Sequence, residues 1–299
     1  MTDKKDIANY FRELQNNICA GLEKADGKAR FQEDKWERPE GGGGKTRVIQ
    51  NGNVFEKGGV NFSEVYGPCP DFLKKENGIT GDNVEFIATG VSIVIHPFHP
   101  FVPIIHMNVR YFEAGNTWWF GGGIDLTPHY IDEEDARFFH TTLKQACDLH
   151  SSSYYGEFKK WADEYFYITH RGETRGVGGI FFDKLSDNEE FNLESRFAFV
   201  KSIGESFLKA YTPLVEKNKK KEFTADNRQW QLLRRGRYAE FNLVYDRGTK
   251  FGLHTNGRTE SILMSLPPLA RWDYCPQYPI NSLEDRTLQI LRQPNTWIV

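Results

Sequence analysis

Between Asp3 and Lys24 the apolar residues Ile7, Phe11, Leu14, Ile18 and Leu22 recur at steps of four, three, four and four, the single stripe of an amphipathic helix. The period then changes. Phe31 to Tyr66 is rich in glycine and in β-branched or aromatic residues, and Asn51-Gly52 separates the run Thr46 to Ile49 from Val54-Phe55. Asn-Gly at such a place predicts a tight hairpin in which both turn residues take positive φ. Val91 to Ile95, Ile104 to Phe112 and Thr117 to Phe120 read as further strands, broken by Pro97, Pro100, Pro103 and Gly115-Asn116. Helical spacing returns after Asp132, a good N-cap, and runs through Cys147. Further helices are expected over Tyr155 to Tyr167, Glu189 to Leu214 and around Trp230 to Arg234, with the basic run Lys217 to Lys221 as a solvated helix end. Ile180 to Phe182 is a short apolar run, and Phe241 to Tyr245 and Ser261 to Leu266 read as strands. No break in composition divides the chain. The pattern therefore predicts one α+β domain over 1–299, a mostly antiparallel sheet with helices on its faces.

Composition narrows the function. The 299 residues carry 38 Lys plus Arg against 41 Asp plus Glu, a net charge of -3 that lacks the basic excess nucleic acid demands. No apolar run approaches the roughly 18 residues of a membrane span. Met1 to Ile7 has no apolar segment of the kind that targets secretion, so the cytoplasm is expected. Cys19, Cys69, Cys147 and Cys275 form no C-x-x-C pair and read as reduced thiols. Aromatic residues reach 14%; a Phe-rich core absorbs most of them, and the rest offer flat walls for a planar ligand.

Gly41 to Thr46 ends like a phosphate-binding loop, but Pro39 stands where its first glycine belongs and a strand and turn follow instead of a helix. The four glycines suit a closely approached or lid-like segment. All eight histidines fall between positions 96 and 254, without the spacing of a known metal motif. His106, inside an apolar strand, is the best placed of them for proton transfer. Gly121-Gly122-Gly123 clears side-chain bulk just before Asp125, a carboxylate that needs partners if buried; a ligand with several N–H groups or the backbone of its own turn would both serve. Arg110 and Arg258 offer fixed forks suited to carboxylates, although an ordinary ion pair is the plain reading of each.

Five motifs in order carry a resemblance: Gly41 to Gly67, His96 to Arg110, Trp118 to Pro128, Lys160 to Asp183 and Tyr238 to Tyr274. Together they resemble the oxygen-dependent coproporphyrinogen III oxidases over nearly the whole chain. That resemblance implies a seven-stranded antiparallel sheet flanked by helices on both faces, and a homodimer whose interface involves about 238–273. It implies oxidative decarboxylation of two propionates of coproporphyrinogen III to vinyl groups, with O2 as co-substrate, no organic cofactor, and CO2 and H2O2 released. Carried over residue by residue, the implied catalytic set is His106 as proton donor, Asp125 holding the pyrrole N–H groups, and Arg258. Ser92, Asn108, Val109, Arg110, Asn256, Gly257 and Arg258 are implied to contact substrate. Bacterial members imply a divalent metal such as Mn on His96, His106, His140 and His170. A metal-dependent oxygenase acting on a tetrapyrrole and a non-catalytic tetrapyrrole-binding protein are the alternatives.

Overall fold

The structure is a computed structural model that describes residues 2–254, 257–293 and 295–298. In chain order its elements are α1 (Lys4–Asp26), β1 (Gln32–Glu37), β2 (Gly42–Gln50), β3 (Phe55–Pro68), α2 (Asp71–Asn77), β4 (Glu85–Pro97), β5 (Ile104–Ala114) and β6 (Thr117–Thr127). They continue with α3 (Glu133–Asp148), α4 (Tyr154–Tyr165), β7 (Tyr167–Ile168), β8 (Glu173–Thr174), β9 (Gly178–Leu185), α5 (Leu193–Asn218), α6 (Ala225–Val244), α7 (Arg247–His254), α8 (Thr259–Leu263) and α9 (Leu283–Leu291).

Seven strands form one antiparallel sheet in the order β1-β2-β3-β4-β5-β6-β9, as expected; β7 and β8 make a separate two-residue pair. Alternation along the strands splits the side chains between two faces. Ile93, Ile95, Met107, Val109, Tyr111 and Ile124 point to one face, where α1, α3, α4 and α5 bury them in the main core. The expected stripe of α1 lies here, capped by Asp3 and ended by Gly27 at φ 80. On the other face α6 seals Val94 and Ile104 beneath Tyr238, while α2 helps cover Phe86 and Phe112 at the opposite end. Between those two covers the sheet is polar.

Four expectations change. The hairpin after β2 has positive φ at Asn51 (55°) but not at Gly52. Its shape comes instead from Asp26, whose carboxylate accepts from the backbone N–H of Asn53, Val54 and Phe55 at 3.1, 2.9 and 3.0 Å. A Cβ on Gly52 would lie 2.1 Å from that carboxylate, so glycine is needed there for close approach. The Gly41 to Gly44 run is no free lid, since its last three residues pair as the start of β2. Phe241 to Val244 closes α6, and Ser261 to Leu263 belongs to α8, so neither segment is a strand. The inner face of α6 includes Arg234, Arg235 and Arg237, all buried and paired with Glu173, Glu56 and Glu240, and a stripe buried through ion pairs escapes a hydrophobic count. Lys217 is likewise more than a solvated end, because its ammonium reaches Asp135 of α3 at 2.7 Å.

Candidate functional site

The polar face is built by register. Thr46, Asn61, Ser92, Asn108 and Gly123 stand opposite one another on successive strands, and beside them run Gly44, Ser63, Gly90, Arg110 and Gly121. Small residues leave a shallow polar floor that runs from β1 to β6, about 24 Å at the usual strand spacing. Arg110 lies flat along it, donating to Asn108 Oδ1 and to Asp183 Oδ1, each at 2.8 Å. Gly121 makes room: a Cβ there would sit 2.5 Å from Asp183 Oδ1 and 2.9 Å from Arg110 Nη2. One step along the same strands, His106 and Asp125 face each other.

His106 Nδ1 donates to Asp125 Oδ1 at 2.7 Å, and Arg175 donates to Asp125 Oδ2 at 2.6 Å. The three form a series from interior to cleft, with side chains 3% exposed at Arg175, 3% at Asp125 and 22% at His106. Burial works against an ionised Asp125, but the Arg175 charge and the His106 bond outweigh it and hold the carboxyl below its ordinary range. Arg175 is held in turn by Asn242 Oδ1 at 3.1 Å and by the rings of Phe166, Tyr238 and Phe241 at 4.3, 4.7 and 4.7 Å. An anionic Asp125 can only accept, so Nδ1 of His106 carries the proton of this bond, and Nε2 is left to meet a ligand.

Helix α8 lies on the β2–β3 part of the polar row. Thr46 Oγ1 lies 2.7 Å from Ser261 Oγ, and Asn61 donates to the Ser261 carbonyl at 2.8 Å. Phe72 of α2 meets Phe251 of α7, their ring centroids 5.7 Å apart, so these two helices touch. Cavities of about 550 and 510 Å³ lie elsewhere, beside α3 and beside the C-terminal residues, and neither is lined by residues of the polar row.

The coproporphyrinogen III oxidase family matches this chain over residues 6–297. The chain belongs to that family. Curated relatives named oxygen-dependent coproporphyrinogen-III oxidase include one from Prochlorococcus marinus strain MIT 9313, 51% identical over 95% of this chain and 88% of the relative. Another from Drosophila melanogaster is 52% identical over 96% of this chain and 76% of its own.

Within this oxidase fold the expected residues separate into groups. Ser92, Asn108 and Arg110 share the floor, and His106 and Asp125 are bonded at its edge. Arg258 stands at the far end, its guanidinium on Asp34 of β1. Gly257 adjoins it, with its N–H on the Gly252 carbonyl at 2.8 Å, and Asn256 lies outside the described residues. The Val109 side chain points to the opposite face and is fully buried in the main core, so only its backbone lies at the floor. Both oxygens of Asp125 are taken and the residue is 2% exposed, so the group it presents to the cleft is His106.

The four histidines do not fit a metal in this fold. His96 Nε2 bonds the Ser265 carbonyl, His140 spends both nitrogens on Tyr155 and the Val177 carbonyl, and His170 spends both on Tyr245 and Glu240. Among the described residues no three His, Cys, Asp or Glu side chains converge as a ligand set.

Arg175, Asp183 and Asn242 escaped the residue-by-residue reading. Arg175 does carry a signal: it stands in Gly172-Glu173-Thr174-Arg175-Gly176, just ahead of β9, the strand that pairs with Asp125's own.

Proposed function

We propose that this protein catalyses the oxygen-dependent oxidative decarboxylation of coproporphyrinogen III to protoporphyrinogen IX. The observation that carries the reading is the Arg175–Asp125–His106 series ending at a polar, arginine-bearing floor. For each propionate the balance is R–CH2–CH2–COO⁻ + O2 + H⁺ → R–CH=CH2 + CO2 + H2O2. The C–C bond to the carboxylate and one C–H bond of the carbon next to the ring break, and the vinyl double bond forms. Two electrons pass to O2, and the peroxide needs two protons. The broken C–H bond supplies one, and the other comes from outside the substrate.

His106 Nε2, on the cleft side of the ring, is suited to deliver that proton while Asp125 accepts from Nδ1. Asp125 and Arg175 are positioning residues, holding the ring and its tautomer from below. Ser92, Asn108 and Arg110 receive a propionate beside His106, and Arg258 with Gly257 receives one at the far rim. Asn256 belongs by resemblance to the same far-rim contact. Molecular oxygen acts as oxidant with no organic cofactor. Because the four histidines do not converge, no step is assigned to a divalent metal such as Mn.

The active form is a homodimer joined through about 238–273, a reading supported by exposed Leu243, Val244, Leu253, Leu269 and Trp272 in that stretch. No helix of the described residues is long and apolar enough to cross a membrane, and we assign the protein to the cytoplasm. The test is aerobic and anaerobic incubation of the purified protein with coproporphyrinogen III, before and after chelation. Two CO2 and two H2O2 per divinyl product, only in air and undiminished by chelator, are expected. Turnover in the absence of O2, or binding with no product, would refute the proposal.

A further inference from the structure

The strand pair that presents Arg175 does not hold it unaided. β7 and β8 share only the pairs Tyr167–Thr174 and Ile168–Glu173, and a two-stranded hairpin of that length has little stability of its own in water. Arg175 follows directly, with its backbone N–H on the Phe166 carbonyl at 2.9 Å. Helix α6 supplies the grip. Arg234, Tyr238 and Asn242 recur at steps of four along one face of that helix. Arg234 Nη1 donates to Glu173 Oε1 at 2.6 Å, the Tyr238 ring lies 4.7 Å from the Arg175 guanidinium, and Asn242 Oδ1 accepts from Arg175 Nη1. At the turn of the hairpin Glu240 accepts from Arg171 at 2.8 and 2.6 Å and from His170 at 2.8 Å. The Arg234 and Glu173 side chains are 2% and 4% exposed. A buried ion pair of this kind gains little stability over well-packed apolar side chains, so what it adds is a fixed geometry.

We propose that Arg234 and Glu173 are positioning residues for proton delivery. Through the hairpin they set where the Arg175 guanidinium stands, and through Arg175 and Asp125 they set the His106 ring. Glu173 and Arg175 both meet α6 and are two residues apart, so slack in the first contact passes straight to the second. The inference rests on the role of His106 in the oxidase reading and extends the Arg175–Asp125–His106 series into α6.

Arg234→Met keeps most of the volume but strands Glu173. The double variant Glu173→Gln/Arg234→Met strands no charge, and its melting temperature is expected to return toward wild type. In both, kcat for coproporphyrinogen III is expected to fall about tenfold or more with KM nearly unchanged, because Ser92, Asn108 and Arg110 are untouched. Arg234→Lys, which keeps a cation for Glu173, should regain most of the rate. Arg171→Ala, at an exposed position, loosens the turn of the hairpin without stranding a buried charge and should lower kcat in the same way by less. The hydrogen bond itself is read by NMR of protein carrying isotope-labelled histidine. The proton on His106 Nδ1, assigned by its loss in His106→Gln, is expected to move upfield in Arg234→Met and in the double variant as its bond to Asp125 weakens. An unmoved Nδ1 proton, or recovery of kcat together with melting temperature in the double variant, would overturn the positioning role. Because the NMR reading needs no turnover, a wild type that shows this proton and its shift in the variants but forms no vinyl product would refute the oxidase reading and leave the positioning standing.

Discussion

Replacing Arg175 with methionine tests the interior half of the site. The change keeps most of the volume and removes the charge that faces Asp125 across 2.6 Å at a place where both side chains are 3% exposed. A buried ion pair broken on one side costs about 3–5 kcal/mol, because the remaining charge has neither water nor partner. At about 2–4 °C per kcal/mol that is a fall of about 6–20 °C in melting temperature. Asp125→Asn leaves the Arg175 charge similarly stranded. The double variant strands nothing, and its loss should be smaller than the sum of the two singles by about 2 kcal/mol or more. Urea unfolding of the four proteins at pH 7 measures this cycle.

The pH dependence gives a second reading of the same variant. In the wild type Asp125 has a lowered pKa, so its contribution is present above the unfolded carboxyl value and is lost as pH falls through the folded one. Without Arg175, burial dominates and pushes the carboxyl up. The Arg175→Met protein should then become more stable, relative to wild type, as it is acidified from pH 7 toward 5. Additive single losses, or an Arg175→Met change below about 1 kcal/mol with no such pH trend, would show that the pair is not the buried couple described.

Two further outcomes follow from the same packing. Burial, reinforced by the Arg235 charge, holds His96 and His129 well below the usual imidazole range, and burial brings His140 down to about 4. Below about pH 6.5 the unfolded chain takes up protons these three refuse, so stability should fall by about 4 kcal/mol in all between pH 7 and 5.5; a flat urea midpoint over that range would contradict this. Gly121→Ala places a Cβ against the Arg110–Asp183 pair and should raise KM for the tetracarboxylate about tenfold with little change in kcat; an unchanged KM in a folded variant would remove Arg110 from substrate binding.

The periodicities of the chain determine the helix over 4–26, the meander of strands and the N-cap at Asp132, because each depends on residues within a turn or a strand of one another. Local chemistry also singles out His106, Asp125, Arg110 and Arg258, and the order of five motifs suffices for the family. Tertiary structure alone decides their division of labour. Only strand register sets His106 against Asp125 and lines Ser92 up with Asn108, since a shift of one residue would turn each of them to the opposite face. Only the return of the chain after α4 delivers Arg175, 50 residues beyond Asp125, to the carboxylate that local reading left for substrate. The same limit hid how far α6 runs past the helix expected around Trp230 to Arg234, because its inner face is buried by Arg234, Arg235 and Arg237. An arginine reads as solvent-facing along the chain and becomes interior only when a distant glutamate meets it, and no local pattern records that meeting.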